Sequence, residues 1–191
     1  MIEIICICAL LLIIIYLIYN EIIIDFNYNF SKFCKDEFCS RLLKEESLDT
    51  IYKLYLFYNN LLKILPINDI RRKKLIERFD KKNGLFEVDP YNKKEYTSYT
   101  LNKSSIGMCM REKKSDKPLH NIEILKFVFL HELGHICTDS YDHNVEFWEN
   151  FKWLLTYAYD NKLMNPIDFE KNPAKYCTGI IIDKNPYFDY M

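Results

Sequence analysis

The chain has 191 residues, with 26 Lys and Arg against 27 Asp and Glu and a formal net charge of -1. That length suits one modest domain able to bury a core without disulfide staples, and the charge balance excludes a global basic field that would draw nucleic acid in. The seven Cys have no paired-knuckle spacing, which excludes a Cys-based zinc knuckle and favours reduced thiols in a reducing compartment.

Residues Ile4 to Tyr19 are unbroken apolar. With no basic n-region and no small-x-small cleavage site, the run predicts an uncleaved transmembrane anchor over residues 1–24 rather than a signal peptide. Lys32, Lys35, Arg41 and Lys44 follow it and no Lys or Arg precedes it, so positive-inside reasoning places the remainder in the cytosol as a single-pass protein. Residues 25–46 read as a linker and 47–191 as the domain. A Cys34–Cys39 disulfide enters only if that domain is lumenal.

Leu48, Ile51, Tyr52, Tyr55, Leu61, Leu62 and Leu65 recur at helical spacing, with Ser47 as a cap and Pro66 as a stop. Asn68 is the expected cap of a second helix to about Phe79, with Ile70, Ile76 and Phe79 inward. Its run Arg71-Arg72-Lys73-Lys74 reads as a solvated face. Asn83-Gly84 signals a turn before a strand from Leu85 to Val88. Thr97 to Lys103 and Ile106 to Arg111 read as two more strands, and Glu112 to His120 as a polar loop. A strongly apolar helix spans Ile122 to Cys137, an amphipathic one about Asn144 to Leu163, and a last strand Gly179 to Ile182. Helices, a small sheet, then helices make an α+β class.

The apolar helix carries His131-Glu132-Leu133-Gly134-His135. Residues four apart share a helix face, so both imidazoles can address one metal ion. Glu132 is rotated by about 100° and can reach a water on the metal without ligating it. This HExxH pattern points to zinc, two His ligands and a Glu general base. A core helix with two merely satisfied His is the plainer alternative, but burying two imidazoles and a carboxylate in so apolar a helix is costly without partners. A hydrolytic site needs a third ligand. His143 is the best candidate, Glu146 or Glu149 would make a two-His-one-Glu site, and Asp139 lies too near His135 to turn back. Cys137 reads as a packed thiol. Ile106, Gly107, Met108 and Cys109 are the candidate substrate-binding strand, pairing with an extended peptide at its edge. Among 15 Tyr no transition-state stabiliser stands out; Tyr176 is one candidate.

Leu85-x-Glu87-x-Asp89-Pro90, Ile106 to Arg111, Ile124 to His135 and His143-x-x-x-Phe147-Trp148 together resemble the WLM domain, a branch of the SprT/Spartan-like zinc metallopeptidases. The resemblance covers roughly Leu85 to Leu155. It implies a minimal zincin-like domain with a small antiparallel or mixed sheet packed on the active-site helix. It also implies His143 as the third zinc ligand and a protein or peptide substrate. The segment Thr138 to Asp142 is about two residues longer than the family's turn and lacks its Gly. Known relatives cleave proteins crosslinked to DNA. Three functions follow as expectations: a membrane-anchored metallopeptidase, a non-catalytic zinc-stabilised membrane adaptor, or, by family analogy alone, a DNA-protein crosslink protease.

Overall fold

The structure, a computed structural model, describes residues 16, 45–80, 84–88, 97–112, 118–177 and 179–189. The chain divides into two units, Met1–Leu42 and Leu43–Met191, and the fold below is that of the second. Its elements are α1 (Glu45–Ile64), α2 (Ile70–Arg78), β1 (Leu85–Glu87), β2 (Tyr99–Leu101), β3 (Ser105–Met108), α3 (Ile122–Cys137), α4 (Val145–Asp160), β4 (Ala174–Tyr176) and β5 (Ile180–Ile182).

Helix α1 buries one stripe, Ile51, Leu54, Tyr58, Leu61 and Leu65, at the three- and four-residue spacing that keeps side chains on one face. Pro66 lacks the N–H a further turn would need, and the helix has stopped by Leu65. Asp69, not Asn68, caps α2: its carboxylate accepts from the Arg71 backbone N–H at 2.8 Å. The inward face of α2 is also shifted from expectation. Leu75 and Phe79, four apart, are buried, while Ile70 and Ile76 are exposed. One step along a helix is about 100°, so Ile76 cannot share the face of Leu75. The Tyr58 hydroxyl donates to the Leu75 carbonyl at 3.0 Å and joins the two helices.

The three-stranded sheet has the order β1-β3-β2. β1 runs parallel to β3 and β2 antiparallel to it, so the sheet is mixed. Asn102 and Lys103 both take left-handed backbone, with φ of 50° and 54°, and Ser104 N–H returns to the Leu101 carbonyl. The three residues 102–104 thus join β2 to β3, with Leu101 opposite Ser105. At Gly107 a Cβ would come within 3.0 Å of Phe86, Val88 and Tyr99, so the centre of the sheet has room only for hydrogen. The Arg111 guanidinium, just past β3, donates to Glu87 at 3.1 Å and to the Ser47 hydroxyl at 2.7 Å. The two charged side chains are only 5% and 2% exposed.

α3 is the central element. Leu125, Phe127, Phe129, Leu130, Leu133, Ile136 and Cys137 are all buried, each large apolar chain contributing about 1.5–3 kcal/mol on leaving water. α1, α2, α4 and the sheet pack around it. Phe129 sits in a ring cluster with Tyr58 and Phe79, and Phe127 in another with Phe151 and Phe169. α4 begins at its cap Asn144 and crosses α3 beside Gly134, where a Cβ would lie 3.2 Å from the Phe147 ring and 3.4 Å from Phe151 Cβ.

β4 and β5 form a separate antiparallel pair, and β4 is a strand that three residues of mixed character do not announce. A Cys109–Cys177 disulfide, with Cα atoms 5.9 Å apart, fastens this hairpin to the end of β3. The reduced-thiol expectation is corrected there: 68 residues of intervening chain hide a pairing that only the fold creates. Cys137 is the packed, buried thiol expected, its pKa pushed up to about 12 by burial. Cys6, Cys8, Cys34 and Cys39 lie outside the described residues.

Among the described residues no helix is long and apolar enough to cross a membrane. The expected N-terminal transmembrane helix and the single-pass localisation are corrected on that finding. Apart from Tyr16, the segment 1–24 itself lies outside the described residues, as does most of the expected linker.

Breaking the buried Glu87–Arg111 pair from one side leaves a lone charge in the interior. Arg111→Met is expected to lower unfolding stability by about 3–5 kcal/mol. Glu87→Leu added to it should recover most of that loss in urea unfolding. A double variant as unstable as the single one would show that the cost is packing rather than stranded charge.

Candidate metal centre

Four residues apart on α3, His131 and His135 point to one side of the helix. The chain leaves the helix at Thr138, reverses through residues 139–143 and re-enters a helix at Val145. That reversal returns His143 to the pair. Its Nε2 lies 3.1 Å from the Nε2 of His135 and 3.1 Å from that of His131, and ring nitrogens of all three lie within 4.8 Å of one another. This triad could hold a metal ion. Burial lowers the pKa of His131 to about 3 and of His135 to about 4, with neighbouring imidazoles adding to the effect. Both rings are therefore neutral near pH 7, the form that offers a lone pair.

The three rings share one support. Phe147, one turn into α4 and fully buried, has its centroid 4.8 Å from His131, 4.4 Å from His135 and 4.5 Å from His143. Gly134 makes that seat, since any larger residue there would press on the Phe147 ring. The sequence showed Phe147 only as half of a Phe-Trp pair. It carried no sign that the ring is a platform.

Glu132, 4% exposed, faces the sheet side. The Thr100 hydroxyl of β2 lies 2.8 Å from its Oε2 and 3.0 Å from its backbone carbonyl. Burial raises the Glu132 pKa to about 7, opposed by that hydroxyl. The carboxylate is thus held in one orientation by a strand and prepared to take a proton. Thr100, His131, Glu132, His135 and His143 all line one cavity of about 640 Å³.

The loop that carries His143 is held by cations. Lys103, in the β2–β3 turn, donates to the carbonyls of His135 (3.0 Å), Thr138 (2.6 Å) and Ser140 (2.6 Å). Its ammonium also lies 4.7 Å from the Tyr141 ring centroid. Arg78 of α2 donates to the carbonyls of Ile136 and Thr138 and to the Asp139 carboxylate. Those of His135 and Ile136 are carbonyls a helix C-terminus leaves without intrahelical partners, at its negative end, and those of Thr138 and Ser140 belong to the reversal that follows. No sequence pattern marked Lys103, which a turn position alone would make a solvent-facing residue.

The other candidate ligands lie elsewhere. Asp139 pairs with Arg78 and Lys74. Glu146 accepts from the Asp139 backbone N–H, and Glu149 is exposed on α4. The basic run of α2 is more engaged than a solvated face would be. Arg71 bonds Asp69 and stacks 3.9 Å from the Trp153 ring centroid, Arg72 donates to the Leu62 carbonyl, and Lys74 meets Asp139. Lys73 alone of the four is mostly exposed, 3.8 Å from Glu77.

The expected substrate strand needs correction. Ile106, Gly107 and Met108 belong to the central strand, paired with β1 on one side and β2 on the other. Ile106, Met108 and Cys109 are buried, and Cys109 is in the disulfide. A strand already paired on both sides has no edge to lend. β2 is one of the sheet's two outer strands, and Thr97 to Thr100 line the cavity. Tyr176 also lines it, its hydroxyl 2.6 Å from Ser98 Oγ and its pKa raised by burial.

No family model and no solved structure matches the chain. It is 37% identical over 117 residues to an uncharacterized protein of Acanthamoeba polyphaga mimivirus, covering 59% of this chain and 57% of that one. It is 40% identical over 62 residues to an uncharacterized protein of invertebrate iridescent virus 6, covering 32% and 35%. A third, from invertebrate iridescent virus 3, is 38% identical over 82 residues, covering 42% and 49%. The chain thus spans about half the length of these relatives, or less.

Lys103→Met should release the 138–142 loop while sparing the helix that carries the other two imidazoles. Affinity for Co²⁺, read by competition with a chromogenic chelator, is expected to fall about 10–100-fold, as for other residues that orient metal ligands. Circular dichroism should stay unchanged. Wild-type affinity in this variant would remove Lys103 from the account of the site.

Proposed function

We propose that the chain is a zinc-dependent metallopeptidase of the WLM-like kind, hydrolysing peptide bonds with Glu132 as general base. The observation that carries this reading is the convergence of three imidazoles beside a buried carboxylate on the lining of one cavity. The donor set fits zinc. Tetrahedral zinc with nitrogens at about 2.0–2.1 Å has N···N edges of roughly 3.3 Å. His143 stands 3.1 Å from each of its neighbours. Three protein ligands leave one position for water or substrate, as catalytic rather than structural zinc requires.

Zinc held by His131, His135 and His143 supplies Lewis acidity and makes water a competent nucleophile near neutral pH. The chain's own residues do the rest. Glu132 accepts the proton of the attacking water and passes it to the leaving amine. The Thr100 hydroxyl fixes Oε2 for that transfer, so the carboxylate need not search for its geometry. β2, the outer strand whose residues line the cavity, suits an extended polypeptide. Phe147 keeps the three rings from turning away.

A purified, zinc-loaded chain should cleave casein or a quenched peptide, and 1,10-phenanthroline should stop it. Glu132→Gln should lower the rate by about 10²–10⁴-fold with zinc content unchanged, while His143→Ala should lose both. Zinc retention with no Glu132-dependent cleavage would instead support a structural metal in a non-catalytic protein.

A further inference from the structure

Along the cavity, the floor changes character at His131. Val128 and Phe127 stand three and four residues before it, one turn nearer the start of α3 on the same face. Phe151 of α4 joins them, its ring 5.2 Å from that of His131 and 5.2 Å from that of Phe127. On the far side of the triad the lining is instead Lys103 and Tyr141. The cleft is thus apolar on one flank of the metal site and cationic and aromatic on the other.

A further part of the lining comes from β5. Alternate residues of a strand face the same way, and Ile180 and Ile182 both line the cavity while Ile181 between them does not. Ile180 is 44% exposed and Ile181 49%. An isoleucine left this open inside a cleft adds little to folding, and a ligand that covers it gains by doing so. The hairpin is held in place by the Cys109–Cys177 disulfide, by the Tyr176–Ser98 hydroxyl contact and by His120, whose Nε2 accepts from Cys177 N–H at 3.1 Å. Asp183 and Lys184, one charge of each sign, follow at the rim. The cavity's volume of about 640 Å³ falls within the usual range of ligand sites, about 300–1,000 Å³.

We propose that this flank is a side-chain subsite, formed by Val128 and Phe151 together with Ile180 and Ile182, selecting a large apolar residue beside the scissile bond. The inference rests on the peptidase reading and names the substrate class for it: polypeptides presenting Phe, Leu or Met at a position flanking the cleaved bond. Water leaves this lining and the entering side chain together. That gain is realised only while the chain is threaded past His131.

The test uses the full, zinc-loaded chain and quenched peptides randomised at the residues flanking the cut. Phe, Leu and Met are expected to exceed Gly, Asp and Lys at one flanking position by about 10–100-fold in kcat/KM. Ile180→Lys, a change at an open position, should erase that preference and raise the relative rate for Asp or Glu. Ile181→Lys, facing away from the cavity, should leave the preference as in the wild type. Zinc content of each variant reports that the site is intact. Cleavage that depends on Glu132 but is indifferent to the flanking residue would overturn the subsite and leave the peptidase standing. Selectivity unmoved by Ile180→Lys would likewise overturn it. Absence of any Glu132-dependent cleavage would overturn both.

Discussion

The site depends on one packing contact, the Phe147 ring seated over Gly134 and touching three imidazoles at once. The approach of α4 to α3 is tight at residue 134, where a Cβ would lie 3.2 Å from the Phe147 ring and displace it by a few tenths of an ångström. That approach puts the Phe147 centroid within 4.8 Å of every histidine of the triad. Helix–helix packing, normally a matter of stability, here sets the angle of three potential ligands. A buried aromatic ring in a densely packed interior has few other places to go, and the imidazoles inherit its rigidity.

Electrostatics completes the arrangement from behind. The end of α3 carries the negative pole of the helix and several carbonyls without helical partners. Lys103 and Arg78 come from two different elements to meet those carbonyls and the reversal that follows. Without a glycine in Thr138 to Asp142, the chain reverses over ordinary residues and is stitched at its carbonyls rather than bent at a flexible point. Lys103 also adds to the lowering of the His135 pKa, after burial and the His143 ring.

Much of this was legible in the residues, and what was not has physical reasons. α3 spans the residues its apolar run marks, Ile122–Cys137, because a helix buried on most sides leaves a long unambiguous signal. The meeting of His131, His135 and His143 was readable because helical spacing fixes the first two and a short reversal limits the third. The sheet order was not readable: three short strands admit several pairings, and the one that buries Ile106 and Met108 puts their strand in the middle. Asp69 outcompeted Asn68 as cap because its carboxylate also grips the Arg71 side chain. Lys103 and the Cys109–Cys177 link were invisible for a common reason. Each joins segments distant in the chain, and local pattern carries no information about such encounters.

The disulfide has one more consequence. It closes a covalent ring that runs from residue 109 through both histidine-bearing segments to residue 177. Tyr141, Asp142, His143 and Asn144, past the last stitched carbonyl, lie exposed within that ring, the kind of stretch where a backbone is nicked. A cut there leaves two pieces still tied end to end. Such a molecule would migrate as one species until reduced, and the ligands on either side of the break would stay neighbours.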